Sequence, residues 1–64
     1  MSRKKVIKQR LDDLNLTYRD IAQHIMLPAK YILEWMDGKK QIPYNKILLI
    51  ADLISVDVKD LLLI

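Results

Sequence analysis

Pro28, Gly38 and Pro43 cut an otherwise helix-patterned chain into short pieces, and no stretch alternates apolar and polar residues long enough to form a strand. Such a chain folds by packing several short helices together, so the expected class is all-α, a compact five-helix bundle. The first helix runs from about residue 4 to 14. Ile7, Leu11 and Leu14 form its apolar stripe, and Lys8, Gln9, Asp12 and Asp13 face outward. Asn15 suits its end, because Asn tolerates the left-handed conformation.

The second helix has the clearest start. Thr17 is a good N-cap, Asp20 sits at N3 as in a capping box, and Leu16 and Ile21 have the spacing of a hydrophobic staple. Ile21, Ala22 and Ile25 form its buried side, and small Ala22 lets another helix come close. The break is Met26-Leu27, and Pro28 suits the first turn of a third helix. There Pro28, Ile32, Trp35 and Met36 line one side, while Ala29, Lys30, Leu33, Glu34 and Asp37 line the other. Gly38 is placed for a left-handed cap. A basic loop over residues 39–45 leads to a fourth helix over 47–54, with Ile47, Ile50, Ala51 and Ile54 as its stripe. Asp57 caps a short fifth helix that carries Leu61 and Leu62 inward. Trp35 is expected in the core, His24 on the surface, and Met26 and Met36 as gap-fillers.

Sixty-four residues make one domain, over residues 1–64, near the lower size limit for a lone hydrophobic core, so dimerisation would help. There is no cysteine, which excludes disulfides, thiolate nucleophiles and cysteine-based zinc sites. Eleven Lys and Arg against eight Asp and Glu give +3, which favours a polyanionic partner. Five of the eleven basic residues, Arg3, Lys4, Lys5, Lys8 and Arg10, fall in the first ten positions, whereas Asp52, Asp57 and Asp60 make the last third slightly acidic. No apolar signal core follows the basic start, so a cytoplasmic, nucleoid-associated location is expected. The leucine-rich end is interrupted by charges well short of a membrane span.

With these residues in view, the chain resembles the Cro and phage-repressor (lambda-repressor-like) type of helix-turn-helix transcription regulator over nearly its whole length. The matches to that family's pattern are Leu16-Thr17, Asp20-Ile21-Ala22, Ile32, Trp35, Gly38-Lys39, Ile47, Ile50-Ala51, Ile54, Val56 and Leu61-Leu62, in order and at the family's intervals. The resemblance implies a helix-turn-helix at about 17–37 whose third helix lies in the major groove of DNA. Ala29, Lys30, Leu33 and Glu34 would then face the bases. Thr17 and Tyr18, at a helix N-terminus, would approach a phosphate, and Lys39 and Lys40 would grip the backbone. Three departures stand out. Met26 replaces the usual glycine of the turn, at about 1 kcal/mol if it is left-handed. Pro28 replaces a hydroxyl-bearing cap, and apolar Ala29 and Leu33 stand where Gln and Arg are common, leaving contact to a thymine methyl.

Several residues keep two readings. Lys30 and Glu34 either address guanine and cytosine or pair with each other at i, i+4. The cluster from Arg3 to Arg10 is either a phosphate-binding arm, with Arg10 and Lys8 its best members, or a solvated, frayed terminus. Tyr18 and Tyr44 either touch the DNA backbone or fill gaps between helices. The surplus Leu48, Leu49, Leu53, Leu63 and Ile64, in the C-terminal helices at about 45–64, form either a dimer surface or part of the core. The leading expectation is a homodimeric regulator of transcription, a repressor, on a near-palindromic operator in double-stranded DNA. The rival is a helix-turn-helix module that binds a regulatory protein or toxin. One His, no Cys and scattered carboxylates offer no convergent catalytic set, so no enzyme, metal, cofactor or small-molecule ligand is expected.

Overall fold

The computed structural model describes residues 3–62 and forms α1 (Arg3–Leu14), α2 (Tyr18–Ile25), α3 (Ala29–Met36), α4 (Tyr44–Ile54) and α5 (Val58–Leu62), with no strand among the described residues. The all-helical expectation therefore holds. Three of the four connections are one three-residue device: a left-handed residue, an apolar residue and a cap. They read Asn15-Leu16-Thr17, Met26-Leu27-Pro28 and Ser55-Val56-Asp57, with φ of 57°, 61° and 57° at the first position. In each, the apolar residue's N–H closes the preceding helix: Leu16 donates to the Leu11 carbonyl at 2.8 Å, Leu27 to Ala22 at 3.0 Å and Val56 to Ala51 at 3.1 Å. Leu16, Leu27 and Val56 also pack against the core. That burial and the satisfied carbonyl offset the roughly 1 kcal/mol of an ordinary residue in the left-handed region.

The start of α2 is built as its sequence suggests. The Asp20 carboxylate accepts the Thr17 N–H at 2.7 Å and its hydroxyl at 3.2 Å. Asp57 does similar work on α5, accepting the Lys59 N–H at 3.0 Å. The α3–α4 connection is different. Gly38, at φ 77°, lets its own N–H reach the Trp35 carbonyl at 3.0 Å and the Lys39 N–H reach Glu34 at 2.9 Å. Further on, Pro43 caps α4, which begins at Tyr44 and not at 47 as the apolar stripe suggested. Ile42, buried, stands at staple spacing from Ile47.

α2 packs on α3 and α4, and α1 packs on α4 and α5. Trp35, Ile7, Ile21, Ile25, Ile32, Ile50, Ile54 and Leu61 are fully buried at the centre of a body 25 × 24 × 18 Å across. Buried Met36 fills a gap as expected. Three other expectations need correction. Leu14, in the last turn of α1, is exposed because Leu16 folds back to close that end in its place. Met26 is 84% exposed, since its left-handed backbone aims the side chain outward. Leu62 also faces outward, on a helix too short to bury two adjacent leucines.

The largest correction concerns the basic N-terminal segment, which is neither a free arm nor frayed where it is described. Arg3 is 8% exposed, lies 4.7 Å from the centroid of the Trp35 ring, and donates through Nη1 to the Trp35 carbonyl at 3.1 Å. Lys4 meets Asp37 at 3.0 Å, and Arg10 donates through Nε to the Ile54 carbonyl at 2.9 Å. These cations sit at the carbonyl ends of α3 and α4, where the helix dipole favours positive charge. Burial pulls the Arg3 guanidinium below its ordinary pKa.

Arg3→Ala should lower stability by about 2 kcal/mol through the lost charged hydrogen bond and ring contact. Arg3→Lys should recover only part of that loss, both measured by urea unfolding. Met26→Gly should raise the unfolding free energy in the same measurement by about 0.5 kcal/mol, relieving a left-handed residue whose side chain touches little.

Candidate functional site

The outer side of α3 is what remains once Ile32, Trp35 and Met36 have turned inward. Lys30 and Leu33 are exposed there, and Ala29 and Glu34 are half-buried. All four residues expected to face a partner therefore share one accessible face. Leu33 is 44% exposed. Ala29 and Leu33, one turn apart, form the floor of an apolar groove of about 380 Å³ whose other wall is Thr17, Tyr18 and Arg19 at the start of α2. The α2 N-terminus and the α3 face are thus brought together. The first N–H groups of α2 have no carbonyl one turn back. Thr17 is a correction of detail, because Asp20 already holds its N–H and hydroxyl. Tyr18 and Arg19 supply the N–H groups nearest the groove.

Glu34 stands between two lysines, 3.9 Å from Lys30 and 3.8 Å from Lys40. The i, i+4 pairing reading is what the free protein displays. Yet the Lys30 side chain is 87% exposed, so the pair is loose and contributes at most a few tenths of a kcal/mol. Tyr31 organises this edge. Its hydroxyl donates to the Gln41 carbonyl at 2.9 Å, and the Lys40 ammonium lies 5.4 Å from its ring centroid. The loop after α3 is thereby tied to the helix, with Lys39 exposed beside it.

Lys8 shares a second groove with Asp12, Thr17 and Tyr18, which brings α1 to the same α2 terminus. Arg10 does not belong here. Its guanidinium is committed to Ile54 and to Asp13, at 3.5 Å, on the side of α1 that meets Val56 and Asp60. Tyr44 opens α4 and is 55% exposed, which speaks against the gap-filler reading for it, while half-buried Tyr18 fits either reading. Arg19 was missed by sequence reasoning. Its signal was available, as the second residue after a strong N-cap on a helix whose inner face was already assigned.

The apolar surplus divides. Leu48 and Leu49 of α4 are exposed, as is Leu62 of α5, but Leu53 is half-buried against the core and is no free surface residue. Leu63 and Ile64 lie outside the described residues. His24 is exposed, and no cluster of three metal-ligating side chains occurs among the described residues. No described helix is long and apolar enough to cross a membrane. No protein-family model, curated protein or solved structure matches the chain.

Around the α3 face, Lys8, Arg19, Lys30, Lys39 and Lys40 stand against Asp12, Asp20, Glu34 and Asp37, of which Asp20 caps α2 and Asp37 is paired with Lys4. Glu34→Gln should therefore raise the salt concentration needed to elute the protein from heparin. The same charge change at Asp60→Asn, on α5 beside α1, should have a smaller effect.

Proposed function

We propose that the protein is a sequence-specific DNA-binding regulator of transcription, a helix-turn-helix domain of lambda-repressor-like type that places α3 in the major groove. The observation that carries this reading is the outer face of α3. Lys30 and Leu33 are exposed on it, its back is locked into the core by Trp35, and Lys30 and Lys40 flank Glu34 at its centre. An exposed, rigid, cation-rimmed helix is what the major groove admits, and the rim neutralises phosphates while the helix meets base edges.

The regulator works as a homodimer. Exposed Leu48, Leu49 and Leu62 on α4 and α5 supply an apolar surface that a second copy would cover. A closed two-fold pair would present two α3 helices about one duplex turn, roughly 34 Å, apart, which calls for a near-palindromic operator. Repression is the simplest outcome, because a bound dimer blocks polymerase without further machinery. The second reading, a module that binds a regulatory protein or toxin, draws on the apolar floor of the α2–α3 groove and on the same leucines.

Titrating labelled duplex DNA at two salt concentrations separates the two. With four or so phosphate contacts, affinity should fall roughly a hundredfold between about 50 and 200 mM salt. Lys39→Ala should weaken every duplex alike and flatten the salt dependence, whereas Lys30→Ala should alter sequence preference. Absence of binding at low salt, or binding indifferent to salt, overturns the proposal in favour of a protein partner.

A further inference from the structure

The α2–α3 groove is out of character with its surroundings. Its rim carries Arg19, and Lys30 stands one residue from Ala29, yet its floor is Ala29 and Leu33. Leu33 is the one large apolar side chain that α3 leaves exposed among the described residues. The other exposed leucines of the C-terminal half, Leu48, Leu49 and Leu62, sit on α4 and α5. An apolar floor with Arg19 on its wall and Lys30 beside it fits a partner that is anionic overall and presents an apolar group at the point of contact. Along the major groove edge of duplex DNA the base edges are donors and acceptors, with one apolar group among them, the 5-methyl of thymine.

We propose that Ala29 and Leu33 read pyrimidine 5-methyl groups: thymine in ordinary DNA, and 5-methylcytosine where cytosine carries the same substituent. The inference rests on the DNA-binding reading and adds what α3 recognises. Leu33 supplies the contact surface for the methyl, and Ala29, one turn earlier, is small enough to let the base edge approach. Arg19 and the α2 N-terminus hold the flanking phosphate, which sets how deep the base edge sits. Neither Ala29 nor Leu33 can donate or accept through its side chain, so sequence preference at their base steps comes from the methyl itself. Lys30 and Glu34 discriminate at neighbouring steps.

The test begins with duplexes selected from a random pool by the full chain. The recovered duplex is resynthesised with deoxyuridine at each thymidine in turn, which removes the methyl and leaves base pairing intact. Affinity should fall about fourfold at the step facing Leu33, the loss expected from one buried methyl. Placing 5-methylcytosine opposite guanine at that step should recover affinity relative to cytosine. Leu33→Ala, an exposed position that leaves the core intact, should abolish most of the difference between thymine and uracil, with helicity checked by circular dichroism. Equal affinity for every uracil-substituted duplex overturns this inference while leaving the DNA-binding reading standing. So does a full methyl effect surviving in Leu33→Ala, which would place the reader elsewhere. If no duplex is recovered from the pool, both this inference and the reading beneath it fall.

Discussion

The contact between Arg3 and Trp35 sets the orientation on which everything else depends. One guanidinium lies over the indole ring and donates to the carbonyl of the same residue, so the first turn of α1 is fastened to the last turn of α3. Lys4 on Asp37 secures the same junction, and Arg10 on Ile54 repeats the arrangement at the end of α4. With its C-terminal end held and Ile32, Trp35 and Met36 buried, α3 has only one rotation about its axis open to it. That rotation turns Ala29, Lys30, Leu33 and Glu34 to solvent. For a chain of this size a few such contacts matter, because total stability is a small difference between large terms.

The clamp also changes where the charge resides. Counted along the chain, positive charge concentrates at the start, which by sequence is either a phosphate-binding arm or a solvated terminus. In the fold, Arg3, Lys4 and Arg10 serve helix ends within the molecule. The cations turned to solvent near α3 come from four separate places: Lys8 on α1, Arg19 on α2, Lys30 on α3, and Lys39 and Lys40 in the loop beyond it. No window of sequence gathers them. Only the packing of α1 and α2, together with the Tyr31 bond to Gln41, does so.

What could be read in advance was whatever depends on neighbours in sequence. The Thr17 cap with Asp20, the left-handed Asn15 and Gly38, the inward isoleucines and Trp35, and the outer side of α3 follow from spacing of three or four residues. Missed features depend on partners far along the chain or on turn chemistry carried by unusual residues. Arg3 and Arg10 find carbonyls on other helices. Ser55 takes a conformation usually left to glycine, as Met26 does at the turn position where glycine is usual, and the sign of it at Ser55 is the apolar residue that follows, Val56, which packs back onto the core. The start of α4 was hidden because its first turn, over 44–46, is polar except for an exposed tyrosine; only Pro43 marked it. Leu53 was counted as surplus because apolar periodicity on one helix says nothing of the half-buried margin where a neighbour's edge covers it.

The central claim is that the α3 face, with the α2 N-terminus beside it, is the surface that meets duplex DNA. Mapping amide chemical shifts as a duplex is added to isotope-labelled protein at low salt tests it directly, residue by residue. Changes should concentrate at residues 17–19, 29–34 and 39–40, with α5 undisturbed at its Asp57 cap. Changes confined to α4 and α5, or no changes at any DNA concentration, would contradict it.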